Sequence, residues 1–121
     1  MGKPKVLIHS TPSSFTNLLM EGTAAYGFEP LFLQSYKELL PHLCVHPRIR
    51  ALIIEASLVP RPITSFLGII REVLKLTDPY IILLIETNFE EMLLLSDMGR
   101  ISFYSQPWAL EPIIIDLLKK F

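Results

Sequence analysis

The sequence predicts an α/β fold of five strands alternating with five helices, a three-layer α/β/α sandwich on a parallel sheet. Three observations carry this expectation. Short apolar runs recur between segments of helical periodicity along all 121 residues. Three of those runs are nearly unbroken rather than alternating, the habit of strands covered on both faces by helices. Turn or capping residues separate the runs from the helices beside them.

The unbroken runs are KVLIH (5–9), ALIIEA (51–56) and YIILLIE (80–86), with shorter runs at 31–34 and 101–104 as flanking strands. A first helix over 15–26 follows a Ser/Thr-rich loop and stops at Gly27, a natural left-handed cap. Ser35 and Glu38 make a capping box for a second helix, which Pro41 should bend or restart because it lacks a backbone donor. Phe66, Ile69, Ile70, Val73 and Leu74 keep helical spacing for a third. Asn88 with Glu91 opens a fourth, ended by Gly99. The last helix spans 110–120, with Pro112 in its first turn and Lys119 and Lys120 where the helix dipole favours cations.

Length argues for a single domain over residues 1–121. Half the residues are hydrophobic and only 19% are charged, which excludes a disordered chain. No run reaches the ~18–20 apolar residues of a membrane span, so a membrane partner is not expected. No basic segment followed by an apolar stretch opens the chain, and the single cysteine, Cys44, cannot form an internal disulfide. Both features point to the cytoplasm. A net charge of −1 offers no electrostatic footprint for nucleic acid. The mean hydropathy of +0.42 is high for so few charges, and the surplus of apolar residues needs a destination.

In a parallel sheet the ligand site lies beyond the carboxyl ends of the strands. At the last of these ends stands Phe103-Tyr104-Ser105-Gln106-Pro107-Trp108, followed by Ala109-Leu110-Glu111-Pro112. This segment resembles the aromatic-x-x-Lys-Pro-aromatic turn of response regulator receiver domains, with Gln106 in place of the lysine and Pro107 at the cis-proline position. Residues 51–60 align without a gap to the family's third strand and loop when Pro60 matches the loop proline, and Thr87 fits its switch Ser/Thr. The resemblance covers nearly the whole chain. It implies a receiver-like, flavodoxin-like sheet of order 2-1-3-4-5 and a role in two-component or phosphorelay signal transduction.

Against the family's pattern, the acidic pair after the first strand is replaced by His9 and Ser10, or by Ser10 and Thr11 with a one-residue shift. The phosphoacceptor position falls on Ala56, with Glu55 beside it. Neither forms the aspartyl phosphate. Phosphoryl transfer to a carboxylate needs Mg²⁺ held by several oxygen ligands, and His9, Ser10 and one carboxylate make a poor set. The uncharged Gln106 amide does not replace the lysine. The expectation is a pseudo-receiver that keeps the fold, loses phosphorylation, needs no cofactor, is not an enzyme and acts through a protein partner. Two alternatives stay open. One is an atypical receiver phosphorylated at an unexpected position. The other is a small flavodoxin-like domain that binds a phosphate-bearing ligand such as FMN at the hydroxyl-rich loop 10–16.

Several side chains carry two readings each. Glu55 is either a built-in mimic of the phosphorylated state or a strand-end carboxylate satisfied by its neighbours. Thr87 and Phe103 match the family's switch couple, or are a capping hydroxyl and an ordinary half-buried aromatic. His42 and His46, four apart, would share a helix face, but no third ligand is evident and a surface placement is expected. Cys44 reads as a buried small hydrophobe. On the last helix Leu110, Ile113, Ile114, Leu117, Leu118 and Phe121 face inward, and Ile115 points about 140° from Leu110. On the fourth, Phe89, Met92 and Leu93 define the inward face and leave Leu94, Leu95 and Met98 off it. In receivers the fourth helix, fifth strand and fifth helix form the face that dimerises or meets output partners. Apolar residues on that face are therefore expected to mark an interface, including a homodimer.

Overall fold

In the computed structural model, which describes residues 2–45, 49–73, 78–86 and 92–121, the three unbroken apolar runs form the interior of a five-stranded parallel sheet. They are β1 (Lys5–His9), β3 (Ile49–Glu55) and β4 (Tyr80–Ile85). The edges are β2 (Glu29–Phe32) and β5 (Ile101–Ser105), and the order is β2-β1-β3-β4-β5, as expected. Burial explains the sequence pattern. Every residue of β4 is buried, so both of its faces must be apolar, whereas no residue of β2 or β5 is fully buried. The β2 strand starts earlier than the predicted 31–34 because it includes Pro30, paired with Val6. An edge strand needs ladder donors on one side only and so tolerates proline.

The helices are α1 (Ser14–Ala25), α2 (Leu39–Val45), α3 (Ile63–Val73), α4 (Met92–Ser96) and α5 (Leu110–Lys120). Alternation along the strands divides the core into two layers. Leu7, Leu52, Ile54 and Leu83 pack with Leu39 of α2, Leu67 of α3 and Leu95 of α4. On the opposite face Val6, Ile8, Ile53 and Ile82 pack with Leu19 of α1 and Ile113 and Leu117 of α5. Gly27 ends α1 at φ +95° as predicted. The Phe28 N–H donates to the Thr23 carbonyl and the Gly27 N–H to the Ala24 carbonyl, the paired bonds of a Schellman stop. Ser35 caps the N–H of Lys37, and a 3₁₀ turn over Tyr36–Glu38 precedes α2, which holds Pro41 in its first turn. The predicted restart of that helix is therefore the one observed.

Three helix-phase expectations need correction. The inward face of α3 is Ile63, Leu67 and Ile70, and Ile69 and Val73 are exposed. On α5 the buried residues are Ile113, Ile114 and Leu117, and Leu118 and Phe121 are exposed alongside Ile115. On α4, Leu95 is fully buried, in the same cluster as Leu83, and Met98 packs against that cluster. Only Leu94 of the three expected outward residues is exposed, at 65%. A helix this short has too few residues for its periodicity to be read, and its phase is set by the sheet surface it covers. The predicted cap Asn88–Glu91, Phe89, Thr87, His46 and Leu74 lie outside the described residues. Among the described residues no helix is long and apolar enough to cross a membrane.

Candidate functional site

The carboxyl ends of β1 and β3 lie side by side, with His9 opposite Ile54. Glu55, the last residue of β3, is 8% exposed. Its side chain reaches the loop after β1. Oε1 accepts the Thr11 N–H at 3.0 Å, and Oε2 accepts the Thr11 and Ser57 hydroxyls, each at 3.0 Å. Hydrogen bonds to a carboxylate are worth roughly 1.5–3 kcal/mol each, so three of them offset much of the cost of burying it. Ala56, one residue on, is buried on the opposite side of the sheet, in the cluster that contains Val59 and Ile63.

The loop after β1 closes on itself. The Thr16 hydroxyl donates to the Thr11 carbonyl at 2.6 Å, which leaves its oxygen to accept from the Ser10 hydroxyl at 2.8 Å. Ser13 caps α1 by accepting the Thr16 N–H at 3.2 Å. The hydroxyls of Ser10, Thr11 and Thr16 are thus turned to protein partners, and the Thr11 N–H is held by Glu55. His9 is 2% exposed, and its Nδ1–H donates to the Leu33 carbonyl at 2.9 Å while the Leu33 N–H donates to the Ile8 carbonyl. It fastens the segment after β2 to the end of β1. Its buried Nε2 has no hydrogen-bond partner among the described residues.

The turn between β5 and α5 contains a cis peptide bond at Gln106–Pro107, where the resemblance places one. A second, Arg61–Pro62, had no counterpart in the sequence reading. The Gln106 N–H and the Trp108 indole N–H both donate to the Ile85 carbonyl, each at 3.1 Å, anchoring the turn to the end of β4. Trp108 also lies 5.8 Å from the Phe15 ring, centroid to centroid. Its anchoring role was missed from sequence, although an aromatic directly after the proline was the available signal. The Gln106 residue itself is exposed, and Phe103 is half-buried against the layer of α3 and α4.

A receiver's magnesium finds a poor donor set here. One carboxylate, Glu55, is engaged by three donors, and the hydroxyls around it are engaged with one another. A cation that favours several anionic oxygens does not fit these residues. Among the described residues no three of His, Cys, Asp and Glu come together as a metal site. His42 lies on α2, and its expected companion His46 is outside the described residues.

A polar network that the sequence reading did not single out lies between β5 and α5. Tyr104 donates to Asp116 Oδ2 at 2.7 Å, and Tyr80 hydrogen-bonds Ser102 and reaches Asp116 at 3.4 Å. The Lys120 ammonium sits 4.9 Å from the centre of the Tyr80 ring. Burial, and then the Asp116 carboxylate, holds the Tyr104 hydroxyl protonated far above the ordinary tyrosine value of 10.0. The unfolded chain gives up that proton near the ordinary value and the folded chain does not. Stability is therefore complete below about pH 10 and declines as pH rises beyond it. Tyr104→Phe is expected to shrink the drop in urea midpoint between about pH 8 and about pH 11.

No protein-family model matches the sequence, and no curated protein matches it. Solved structures do match in fold. A response regulator receiver domain protein from Bacillus halodurans is 20% identical, with a TM-score of 0.77 over 100% of this chain and 98% of that one. An orphan response regulator of H. pylori is 12% identical, with a TM-score of 0.75 over 98% and 97%. The same fold also matches 17% of the constitutive lysine decarboxylase of E. coli, at a TM-score of 0.72 and 20% identity, so it is not confined to response regulators. The chain has the fold of response regulator receiver domains.

Proposed function

We propose that this chain is a receiver-like signalling domain that takes up no phosphoryl group and works by contact with other proteins, without cofactor or catalysis, in the cytoplasm. The observation that carries this reading is the Glu55 carboxylate, held by Thr11 and Ser57 where the resemblance places the phosphorylation pocket. It acts there as a built-in stand-in for the charge that phosphorylation would bring. Ala56, at the phosphoacceptor position, is closed into an apolar cluster, and position 106 holds a neutral amide. The same bonds argue against a phosphate-bearing ligand at loop 10–16. The hydroxyls of Ser10, Thr11 and Thr16 and the Thr11 N–H are engaged, and a carboxylate stands beside them.

Beryllofluoride with Mg²⁺, which imitates an aspartyl phosphate, is expected to leave the amide NMR spectrum unchanged. Shifts around Glu55 and Gln106 would sink the reading and favour the phosphorylatable alternative. For the contact surface, the expected α4–β5–α5 face keeps Leu94 and Ile115 but loses Leu95 to the core. Among the described residues the exposed large apolar side chains besides Leu94 are Ile115, Leu118 and Phe121 on or just after α5, Leu18 and Tyr26 on or just after α1, Ile69 and Val73 on α3 and Phe32 on β2. The α5 helix carries or adjoins three of these, more than any other element, and is the contact element we assign.

A further inference from the structure

We propose that the end of the molecule where the strands begin is a docking surface for an anionic lipid bilayer. It lies at the opposite end of the sheet from Glu55, goes beyond the reading above and does not rest on it. The sequence argued only against a spanning helix, and a surface contact needs none.

All five strands are parallel, so their first residues share one end of the sheet, and α1 and α5 run back across it to finish there. Five cations gather at that end: Lys3 just before β1, Lys5 at its start, Arg50 in β3, and Lys119 and Lys120 at the end of α5. The ladder makes them neighbours. Lys5 pairs with Glu29 of β2 and with Ile49 of β3. The register of β1 against β3 then skips Arg50, which is exposed between the buried Ile49 and Ala51. A bulge re-aims a side chain in this way. Ala51 pairs in turn with Tyr80, and the Lys120 ammonium lies 4.9 Å from the centre of the Tyr80 ring. One carboxylate, Glu29, stands among these cations. The helix dipole accounts for the two lysines of α5 but not for Lys3, Lys5 or Arg50.

Two exposed aromatic rings adjoin the cations. Tyr26, at the end of α1, is 59% exposed, and Phe121, just after α5, is 46% exposed. The Phe121 ring meets Phe28 edge-on at 6.3 Å between centroids, and the N–H of the next residue, Glu29, donates to the Pro4 carbonyl between Lys3 and Lys5. Cations beside exposed rings fit a layer of lipid headgroups, where the phosphates take the charge and the rings enter the boundary. The exposed Ile69 and Val73 of α3 have no such company, since the Arg71 guanidinium on that helix is held by the Met98 and Arg100 carbonyls. The far end of the sheet has the opposite sign. Among the described residues it carries Lys37 and Arg61 against Glu38, Glu55, Glu86 and Glu111. A net charge of −1 thus conceals a polarity along the strands, which turns the basic end to an anionic surface and the Glu55 site to the solvent.

Co-sedimentation of the full chain with vesicles is the test, comparing phosphatidylcholine alone with phosphatidylcholine containing about 30% phosphatidylglycerol, at about 0.05 M and about 0.5 M salt. The expected result is binding to the anionic vesicles at low salt, none to the neutral ones, and release at high salt. Arg50→Gln combined with Lys119→Gln is expected to weaken binding about 25-fold, roughly fivefold per cation. Lys37→Gln combined with Arg61→Gln, the same change of net charge at the far end, should stay within about twofold. Tyr26→Ser is expected to weaken binding about fivefold without altering its salt dependence. Urea midpoints near that of the parent chain show that the variants fold. Absence of binding to anionic vesicles, equal binding to neutral ones, or equal losses in the two double variants overturns the inference. Binding of duplex DNA without binding of vesicles overturns it too and gives the surface to nucleic acid.

Discussion

Ala56→Asp is expected to restore no phosphorylation and to lower stability by roughly 3–5 kcal/mol, the usual cost of an uncompensated buried charge. The substituted position is 2% exposed and belongs to the apolar cluster of Val59 and Ile63. A carboxylate there would leave water without meeting a cation. Glu55, its neighbour, already holds the nearby donors: the Thr11 N–H and the Thr11 and Ser57 hydroxyls. The residues after β1 are His9 and Ser10, and position 106 is glutamine, so no second acid helps to recruit Mg²⁺ and no lysine answers the charge. Burial would raise the new carboxyl's folded pKa above its unfolded value of about 3.9. The loss should therefore be complete at neutral pH and fade as pH falls toward about 4. Urea midpoints at about pH 7 and about pH 4, with acetyl phosphate as the phosphoryl donor at neutral pH, read both halves of the expectation. A variant as stable as the parent at neutral pH would mean that the site solvates or pairs a second carboxylate, and the view of it as closed would fall.

Most of the sheet was legible because its physics is written locally. Runs 5–9, 51–56 and 80–86 had to be apolar on both faces, and no helix of that length between turn signals competes with the assignment. Gly27 and Ser35 marked helix ends through backbone chemistry that only a few residues supply. The site was legible as a set of positions but not as an arrangement. Sequence named Glu55 and Thr11 separately, and their pairing follows from the parallel register of β1 against β3, a contact 44 residues apart. The commitment of His9 to the Leu33 carbonyl was hidden for the same reason. The Tyr80–Tyr104–Asp116 network gave no motif at all, because its members meet only when β4, β5 and α5 are assembled. Helix phase failed where the helix was short or its flanks misleading. The five described residues of α4 make fewer than two turns, too few for an inward face to be read from spacing.

Leu94 and Leu95 turn that failure into a measurement. They are adjacent on α4 and chemically identical, yet one is 65% exposed and the other fully buried. Successive helical residues point about 100° apart, so one can face water while the next meets the sheet. Leu95 belongs to the cluster of Leu83, Ile81 and Ile85, and Ile101 and Phe103 of the edge strand pack against that cluster. Leu95→Ala is expected to cost roughly 2–5 kcal/mol, combining lost burial with a cavity that the rigid strands below cannot collapse to fill. Leu94→Ala should stay within about 0.5 kcal/mol, since its side chain loses little contact and alanine favours the helix. Equilibrium urea unfolding of the two variants separates the phases directly. Equal losses would mean that α4 is rotated from the phase described here, and an interface on the fourth helix, as the sequence first suggested, would regain its second leucine. The expected asymmetry assigns Leu94 to the solvent and Leu95 to the core, and it fixes the phase of α4 on the sheet by energy as well as by geometry.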